Sequence, residues 1–218
     1  AENGGGVAVH DTSQGVVFER NVVTGNRGWN GGGAYLGGYW NDVEHLAGNT
    51  IAGNHADGDG GGLYVSSGRD TYLTNTILWH NTRGGGDSQG SQVAMQGTFL
   101  VLRHCNVQGG AADISSDWGV EYESSNIDAQ PRFVNPGHWD APLGQAPWTD
   151  GDYRLRDGSP CTDRGSWDTT FVEADRDGLP RYDDLTMPNG ADAGTPPIDI
   201  GAYERQSDSL LSPSSSTM

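Results

Sequence analysis

The sequence predicts an all-β fold, a right-handed parallel β-helix (solenoid) of about four to five coils with an irregular C-terminal cap. Three observations predict it: a glycine-rich motif recurs at a nearly constant interval, an asparagine-rich motif recurs between its copies, and alternating residues typical of half-buried strands follow each glycine motif. We expect residues 1–115 to form the coils, residues 116–206 the last coil and a loop-rich cap packed on the helix, and residues 207–218 a flexible serine-rich tail.

The first motif is a glycine triplet followed by three residues whose outer two are apolar. Its copies begin at Gly4, Gly31 and Gly60, and a degenerate copy begins at Gly90. Successive strand residues point to opposite faces, so the outer residues should line one dry interior and the middle ones should point outward. The predicted inward set is Val7, Val9, Ala34, Leu36, Leu63, Val65, Val93 and Met95, and the outward set is Ala8, Tyr35, Tyr64 and Ala94.

The second motif lies between the glycine triplets and begins at Asn21, Asn49 and Asn75, with a shortened fourth copy at Asn106. Glycine and asparagine tolerate the left-handed backbone conformation, which favours them at corners between short strands. Asparagines that share one corner can bond through their amides to the next coil. The common period of about 28 residues argues against a propeller, whose blades need about 40 or more residues, and against an antiparallel sandwich.

Beyond about residue 115 the period fades and five other motifs follow in order. They are NIDAQPRFVNP from Asn126, GDYRL from Gly151, GSPCTDRG from Gly158, DRDGLPR from Asp175 and DIGAYE from Asp199. In order and spacing they resemble the C-terminal part of a family of bacterial secreted right-handed parallel β-helix proteins, often called choice-of-anchor proteins. The upstream repeats are similar to those of polymorphic outer membrane proteins. The resemblance implies the architecture and export but no established activity, and the chain departs from the family pattern at Gln130, Thr162 and Arg164.

The two ends of the predicted solenoid differ. The C-terminal region should cover the last coil, whose strand edges and hydrophobic interior would otherwise be open, and its many prolines disfavour regular pairing there. At the other end only three residues precede Gly4, so no N-terminal cap is visible. We therefore expect either a fragment or processed form, or a first coil covered by another subunit in a dimer or an end-to-end filament.

Composition limits the partners and the compartment. The formal net charge of -17 makes nucleic acid and anionic membrane surfaces unsuitable partners, because both need a basic footprint. No apolar run approaches the roughly 18 residues that a membrane-spanning helix requires, so we predict no membrane insertion. We expect an extracellular or cell-surface location, although the chain carries no signal peptide. Cys105 and Cys161 could form one disulfide, which suits an oxidising compartment, or could be two free thiols.

Two short acidic motifs are candidate calcium sites. Asp57 and Asp59 lie two residues apart at a glycine turn, and Asp175 and Asp177 repeat this spacing. Such a turn can direct carboxylate oxygens at Ca²⁺, and solvated turn aspartates are the alternative. Asp163 joins the second group as a candidate ligand, with Asp199 and Glu204 near it among the C-terminal motifs.

A group of aromatic residues is the candidate binding surface. Aromatic faces stack on sugar rings or on partner proteins, so an exposed aromatic wall would bind a polysaccharide or a surface protein. Packing within the turns is the alternative. The wall is predicted to contain Trp29, Tyr35, Tyr39, Trp40 and Tyr64.

These features favour a secreted, non-catalytic structural or adhesive protein. The alternative is a polysaccharide-active enzyme, either pectate-lyase-like or a glycoside hydrolase, or a carbohydrate-binding module. Lyase chemistry needs clustered acids and one basic residue on an outer face. Two such groups could be assembled, one from Asp42, Glu44 and Asp70 with Arg69, and one from Asp87 with Arg83 and Arg103.

Overall fold

The protein is all-β, and most of its strands belong to parallel sheets stacked in order. The computed structural model describes residues 2–10, 16–38, 43–68, 70–85, 89–141, 147–167, 174–190 and 197–206. The predicted tail, residues 207–218, lies outside the described residues.

The chain passes repeatedly through the same series of short strands, numbered here in chain order. Sheet 1 contains β1 (Val7–His10), β5 (Ala34–Gly38), β9 (Leu63–Ser67), β13 (Val93–Gln96) and β16 (Ile114–Ser116). Sheet 2 contains β2 (Val16–Glu19), β6 (Val43–Ala47), β10 (Thr71–Thr74), β14 (Leu100–Arg103) and β17 (Val120–Tyr122).

Two smaller sheets follow sheets 1 and 2 in the first three passes, and sheet 3 continues into the fourth. Sheet 3 contains β3 (Val22–Thr24), β7 (Thr50–Ala52), β11 (Ile77–Trp79) and β15 (Asn106–Val107). Sheet 4 contains β4 (Arg27–Gly28), β8 (His55–Ala56) and β12 (Thr82–Arg83). Within all four sheets each strand pairs in parallel with its counterpart in the next pass, an arrangement compatible with a parallel β-helix.

The predicted interior column is present without a break. In sheet 1 the paired positions run Val7, Ala34, Leu63, Val93 and Ile114 through five strands. Ala34, Leu63 and Val93 are completely buried in the main hydrophobic core. The middle residues also align as predicted, because Ala8, Tyr35, Tyr64 and Ala94 are consecutive partners on the opposite face. Ala94 differs from the prediction in being buried on that face. The alternation in the sequence therefore predicted both the register and the buried face.

Glycine is required where the glycine triplet turns into the strand. Gly31 and Gly60 both have a φ of 68°, the left-handed region that favours glycine. A Cβ at Gly60 would come within 2.5 Å of the Leu63 carbonyl oxygen. The turn thus starts each sheet 1 strand at the position equivalent to the start of its neighbour.

One asparagine corner forms the predicted ladder. The Asn54 amide nitrogen donates to Asn81 Oδ1 at 3.0 Å, and the Asn26 amide nitrogen donates to Asn54 Oδ1 at 3.1 Å. The Asn81 amide continues the ladder to Gln92 Oε1 at 2.8 Å. Each amide therefore joins one pass to its neighbour, and Asn54 and Asn81 do so in the buried interior.

The other asparagine corner corrects the predicted alignment. Val22 pairs with Thr50, Thr50 with Ile77 and Ile77 with Asn106. Asn21 and Asn49 are therefore equivalent, but Thr76 and Cys105 occupy that corner in the next two passes. Asn75 and Asn106 each fall one residue out of the predicted alignment.

The described C-terminal residues lie along the side of the stacked sheets, and we call residues 128–141, 147–167, 174–190 and 197–206 the lateral lobe. It contains two antiparallel strand pairs, β18 (Phe133–Asn135) with β21 (Asp152–Leu155) and β19 (His138–Trp139) with β20 (Trp148–Thr149). A second hydrophobic core joins the lobe to the outer face of sheet 3 and contains Ala52, Ile77, Trp79, Phe133, Tyr153, Leu155, Cys161 and Ile200.

The lobe spans several passes. Arg20 in the first pass donates to the Ala174 carbonyl, and the His104 ring in the fourth pass lies 3.0 Å from the Arg164 carbonyl. The lobe therefore packs on the side of the stacked passes, and its predicted cover of the last coil stays a prediction.

Helical structure in the described residues is limited to a 3₁₀ turn, η1 (Gly110–Asp113). The described part of the chain contains no helix with the length and apolar character needed to cross a membrane.

Candidate functional site

The predicted aromatic wall is assembled only in part. Tyr35 and Tyr64 stack with their ring centroids 5.5 Å apart and their planes 9° apart, and Tyr64 Oη donates to Gln96 Oε1 at 3.1 Å. Trp29 is 53% exposed but follows β4, one corner earlier in the chain. Tyr39 and Trp40 lie outside the described residues. Tyr35 and Tyr64 therefore each bury one ring face against the other, which leaves less aromatic surface for a sugar ring than the sequence predicted.

The carboxylates of Asp57 and Asp59 form ion pairs between passes. Asp57 Oδ1 lies 2.5 Å from an Arg27 nitrogen and 3.5 Å from His55 Nε2, and the hydrogen bond from Arg27 lowers the pKa of Asp57. Asp59 Oδ1 lies 3.1 Å from Arg83 in the following pass. Each pair engages one carboxylate oxygen and links two passes, and calcium binding at this turn stays a prediction.

Several residues of the two lyase arrangements have other partners. Arg103 forms an ion pair with Glu123 at 2.6 Å, and Arg83 pairs with Asp59. Asp70 is exposed and immediately precedes β10. Asp42, the Glu44 side chain, Arg69 and Asp87 lie outside the described part of the chain. Arg83 and Arg103 are therefore held by carboxylates of neighbouring passes.

The second acidic turn is held by its own carboxylates. Asp175 Oδ1 accepts the backbone N–H groups of Asp177 and Leu179, both at 2.8 Å, and Asp175 Oδ2 accepts that of Glu204 at 2.9 Å. Asp177 Oδ2 accepts two hydrogen bonds from the Arg154 guanidinium. Asp175 and Asp177 thus close and anchor a turn, as in the alternative to a calcium site, and their role as calcium ligands stays a prediction.

Asp163, the remaining predicted ligand, belongs to a buried acidic cluster with Asp199 and Glu204. The structure brings together one carboxylate oxygen from each residue, all within 4.8 Å of one another. All three side chains are buried, Asp163 completely. We call these three residues the acidic cluster.

Hydrogen bonds from irregular segments of the lateral lobe position the cluster. Asp199 Oδ1 accepts the Asp163 backbone N–H at 2.7 Å, and Asp199 Oδ2 accepts that of Arg205 at 2.7 Å. Glu204 Oε1 accepts the Tyr182 backbone N–H at 3.1 Å, and Asp163 Oδ2 accepts that of Asp184 at 3.0 Å. Asp163 Oδ1 is buried without a hydrogen-bond partner.

Burial dominates the electrostatics of the cluster. It raises the pKa of Asp163 to about 7 and raises the pKa of Asp199 well above its ordinary value, with a further contribution from the Glu204 charge. Burial also raises the pKa of Glu204, against the opposing effect of Arg181, which lies 2.7 Å away. Hard divalent cations prefer such oxygen ligands, so these are the residues that could hold a metal ion.

The two cysteines lie in different hydrophobic cores and are free thiols. Cys105 lies inside the stacked sheets, and Cys161 lies between sheet 3 and the lateral lobe, where it accepts a hydrogen bond from Asn106 at 3.0 Å. The disulfide that the sequence allowed is therefore not formed. Burial raises the pKa of each thiol to about 12.

We expect neither cysteine to react with a thiol reagent such as Ellman's reagent in the native protein at pH 8. At a pKa of about 12 only about one thiol in ten thousand is ionised at that pH, and both sulfurs are enclosed. Absorbance should report two reactive thiols per chain after unfolding in guanidinium without reductant. A rapidly reacting native thiol would contradict the burial, and no reaction after unfolding would indicate a disulfide.

Sequence reasoning named Asp199 and Glu204 only as neighbours of the second acidic turn. No spacing in the chain predicts that they converge on Asp163, because the described residues between Asp163 and Asp199 form no named strand or helix. Comparisons with protein-family models, curated proteins and solved structures found no significant match to this chain. The family resemblance of the C-terminal motifs therefore stays a prediction.

Proposed function

We propose that this protein is a right-handed parallel β-helix that acts outside the cell or at its surface as a non-catalytic structural or adhesive element. The observation that carries the proposal is the unbroken column Val7, Ala34, Leu63, Val93 and Ile114. Parallel strands joined by crossovers within a sheet are right-handed in about 98% of cases, which supports the proposed hand.

A body of this kind is suited to mechanical and surface roles. Backbone hydrogen bonds between passes, the Asn26–Asn54–Asn81 ladder and the Tyr35–Tyr64 stack all run in the same direction through the molecule. The ion pairs Arg27–Asp57 and Asp59–Arg83 add links between consecutive passes. The links between passes therefore repeat along one direction, and a body built of such links can be extended by another copy of itself.

End-to-end association is the form of assembly that the sheets favour. Among the described residues β1, β2, β3 and β4 are the outermost strands of their four sheets, each with one unpaired edge. Such edges can accept the strands of another copy in parallel. A head-to-tail contact of this type does not close and would extend into a filament.

We expect the protein to form elongated particles as its concentration rises, and Ala8→Pro to suppress them. Val7 donates its N–H to the Gly33 carbonyl of the next pass at 3.1 Å. Because successive N–H groups of a strand point to opposite edges, the N–H of Ala8 points to the unpaired edge of β1. Proline removes that donor without removing a hydrogen bond inside the chain. Sedimentation velocity and negative-stain electron microscopy measure the effect.

The matched control is Ala8→Ser, which keeps the edge N–H and should assemble like the wild type. A protein that stays monomeric at high concentration would contradict filament formation, and equal assembly of both variants would place the contact elsewhere. Release of unsaturated uronate products, seen as ultraviolet absorbance, would contradict the non-catalytic role.

A further inference from the structure

The lateral lobe contains more buried negative charge than its buried arginines neutralise. Its buried carboxylates are Asp163, Asp175, Asp184, Asp199 and Glu204. Arg181 pairs with Glu204 at 2.7 Å, and Arg205 pairs with Asp184 at 2.6 Å. No described arginine forms an ion pair with Asp163 or Asp199.

Ionised carboxylates without a cation are costly in a dry interior. Asp175 is satisfied by three backbone N–H groups, and Asp199 accepts two. Asp163 accepts one through Oδ2, while its Oδ1 is buried without a partner. Such an atom loses its hydration on folding and gains nothing in return. Asp163 and Asp199 therefore need either a proton or a positive charge.

The spacing of the oxygens fits a single ion. Ligand oxygens lie about 2.3–2.6 Å from Ca²⁺, so two oxygens on opposite sides of the ion are about 5 Å apart. The three cluster oxygens lie within 4.8 Å of one another. Each carboxylate also has unused acceptor capacity, since an ionised carboxylate accepts about four hydrogen bonds.

We propose that Asp163, Asp199 and Glu204 bind one divalent cation, Ca²⁺ in preference to Mg²⁺, and that this ion holds the lateral lobe together. An ion of charge +2 balances the two carboxylates that lack an arginine, while Glu204 keeps its pair with Arg181. Mg²⁺ demands near-ideal octahedral geometry and retains several waters, whereas Ca²⁺ accepts irregular carboxylate sites. The ion would join segments around residues 163, 182–184 and 199–205, which share few strand pairings.

The direct test is a titration of the full chain with Ca²⁺ after removal of metals with a chelator. We expect one Ca²⁺ per chain by calorimetry. Thermal unfolding should shift upward by about 5 to 10 °C at a Ca²⁺ concentration about 100 times the dissociation constant. Mg²⁺ should produce a smaller shift at the same concentration. Tb³⁺ luminescence sensitised by Tyr182 or Tyr203 gives an independent signal, because both residues are next to the cluster in the chain or bonded to it.

Asp163→Asn separates a metal site from a purely structural cluster. It keeps the side-chain volume and removes one uncompensated charge, so the metal-free variant should melt at the same temperature as the metal-free wild type or higher. The Ca²⁺ affinity of this variant should be more than tenfold lower than that of the wild type. The control is Asp177→Asn, the same change in the same lobe, where the carboxylate pairs with Arg154 and should be irrelevant to Ca²⁺.

Three results would overturn the proposal. The first is a wild type that binds no Ca²⁺ and melts at one temperature with and without chelator, since the cluster is then neutralised by protons. The second is an Asp163→Asn variant that keeps the wild-type affinity. The third is an equal loss of affinity in Asp163→Asn and Asp177→Asn, which would indicate a diffuse effect of charge. If Asp163→Asn does not fold, Asp199→Asn takes its place as the cluster variant, compared with the same Asp177→Asn control.

Discussion

Leu63→Asp is expected to abolish folding, while Tyr64→Asp is expected to leave the fold intact. Leu63 is completely buried and lies between Ala34 and Val93 in the interior column. Removing a buried leucine side chain costs about 2–5 kcal/mol, and desolvating a carboxylate adds several more. Their sum approaches or exceeds the whole stability of about 5–15 kcal/mol that is usual for a folded domain.

Tyr64 is the matched control because it is the next residue on the same strand and points to the opposite face. It is half-buried, stacks on Tyr35 and donates one hydrogen bond to Gln96. Its replacement by Asp should cost about 1–3 kcal/mol, the sum of a lost aromatic stack and a lost hydrogen bond. Circular dichroism and thermal unfolding of the two variants measure the difference. Equal tolerance of both, or unfolding of both, would show that the register of sheet 1 is wrong.

The regular part of the fold was predictable because its information is local and repeats. The glycine triplets mark the turns, and the alternation after each triplet identifies the buried face, so the amino-acid sequence alone was enough to align Leu63 with Val93. The asparagine motif was aligned less well. Its third copy is one residue longer, from Asn75 to Asn81. Leu78 is buried beside Ile51 in the main core, and this pairing sets the register of β11. Thr76 therefore occupies the position equivalent to Asn49.

The lateral position of the lobe had a signal in the sequence that the alternation rule overlooked. Ile77, Leu78 and Trp79 are three consecutive apolar residues, whereas a strand exposed on one face alternates. All three are buried, Leu78 in the main core and its two neighbours in the second core. A continuous apolar run in such a short strand thus indicates that both faces are covered.

The acidic cluster could not be derived from spacing. Asp163 and Asp199 are 36 residues apart and meet through the hydrogen bond of the Asp163 backbone to Asp199. The second acidic turn, by contrast, could not be assigned from the sequence, because an Asp-x-Asp-Gly sequence can serve a metal or a turn equally well. Asp175 satisfies backbone N–H groups of its own turn, which is the commoner use of a short acidic side chain.

Asn54→Ala is expected to lower the stability by about 3–6 kcal/mol, the second-largest effect that we predict, and to lower the melting temperature by about 10 to 20 °C. Asn54 is completely buried. Its amide nitrogen donates to the Val23 carbonyl at 2.8 Å and to Asn81 Oδ1, and its Oδ1 accepts from both nitrogens of Asn26. Alanine leaves these partner groups without a bond in a dry interior, where each unsatisfied group costs about 1–3 kcal/mol.

Two further variants separate the hydrogen bonds from the lost volume. Asn54→Asp keeps the shape but removes both donors and introduces a buried charge, so it should destabilise the protein at least as much as alanine does. Asn21→Ala alters the other asparagine corner, where the partly exposed side chain makes one long contact of 3.3 Å to Asn49, and should cost less than about 1 kcal/mol. Chemical unfolding of the three variants gives the free energies. We expect the larger loss in Asn54→Ala because its side chain links consecutive passes. If Asn54→Ala and Asn21→Ala lowered the free energy of unfolding by a similarly small amount, strand pairing and the apolar column alone would keep the passes in phase.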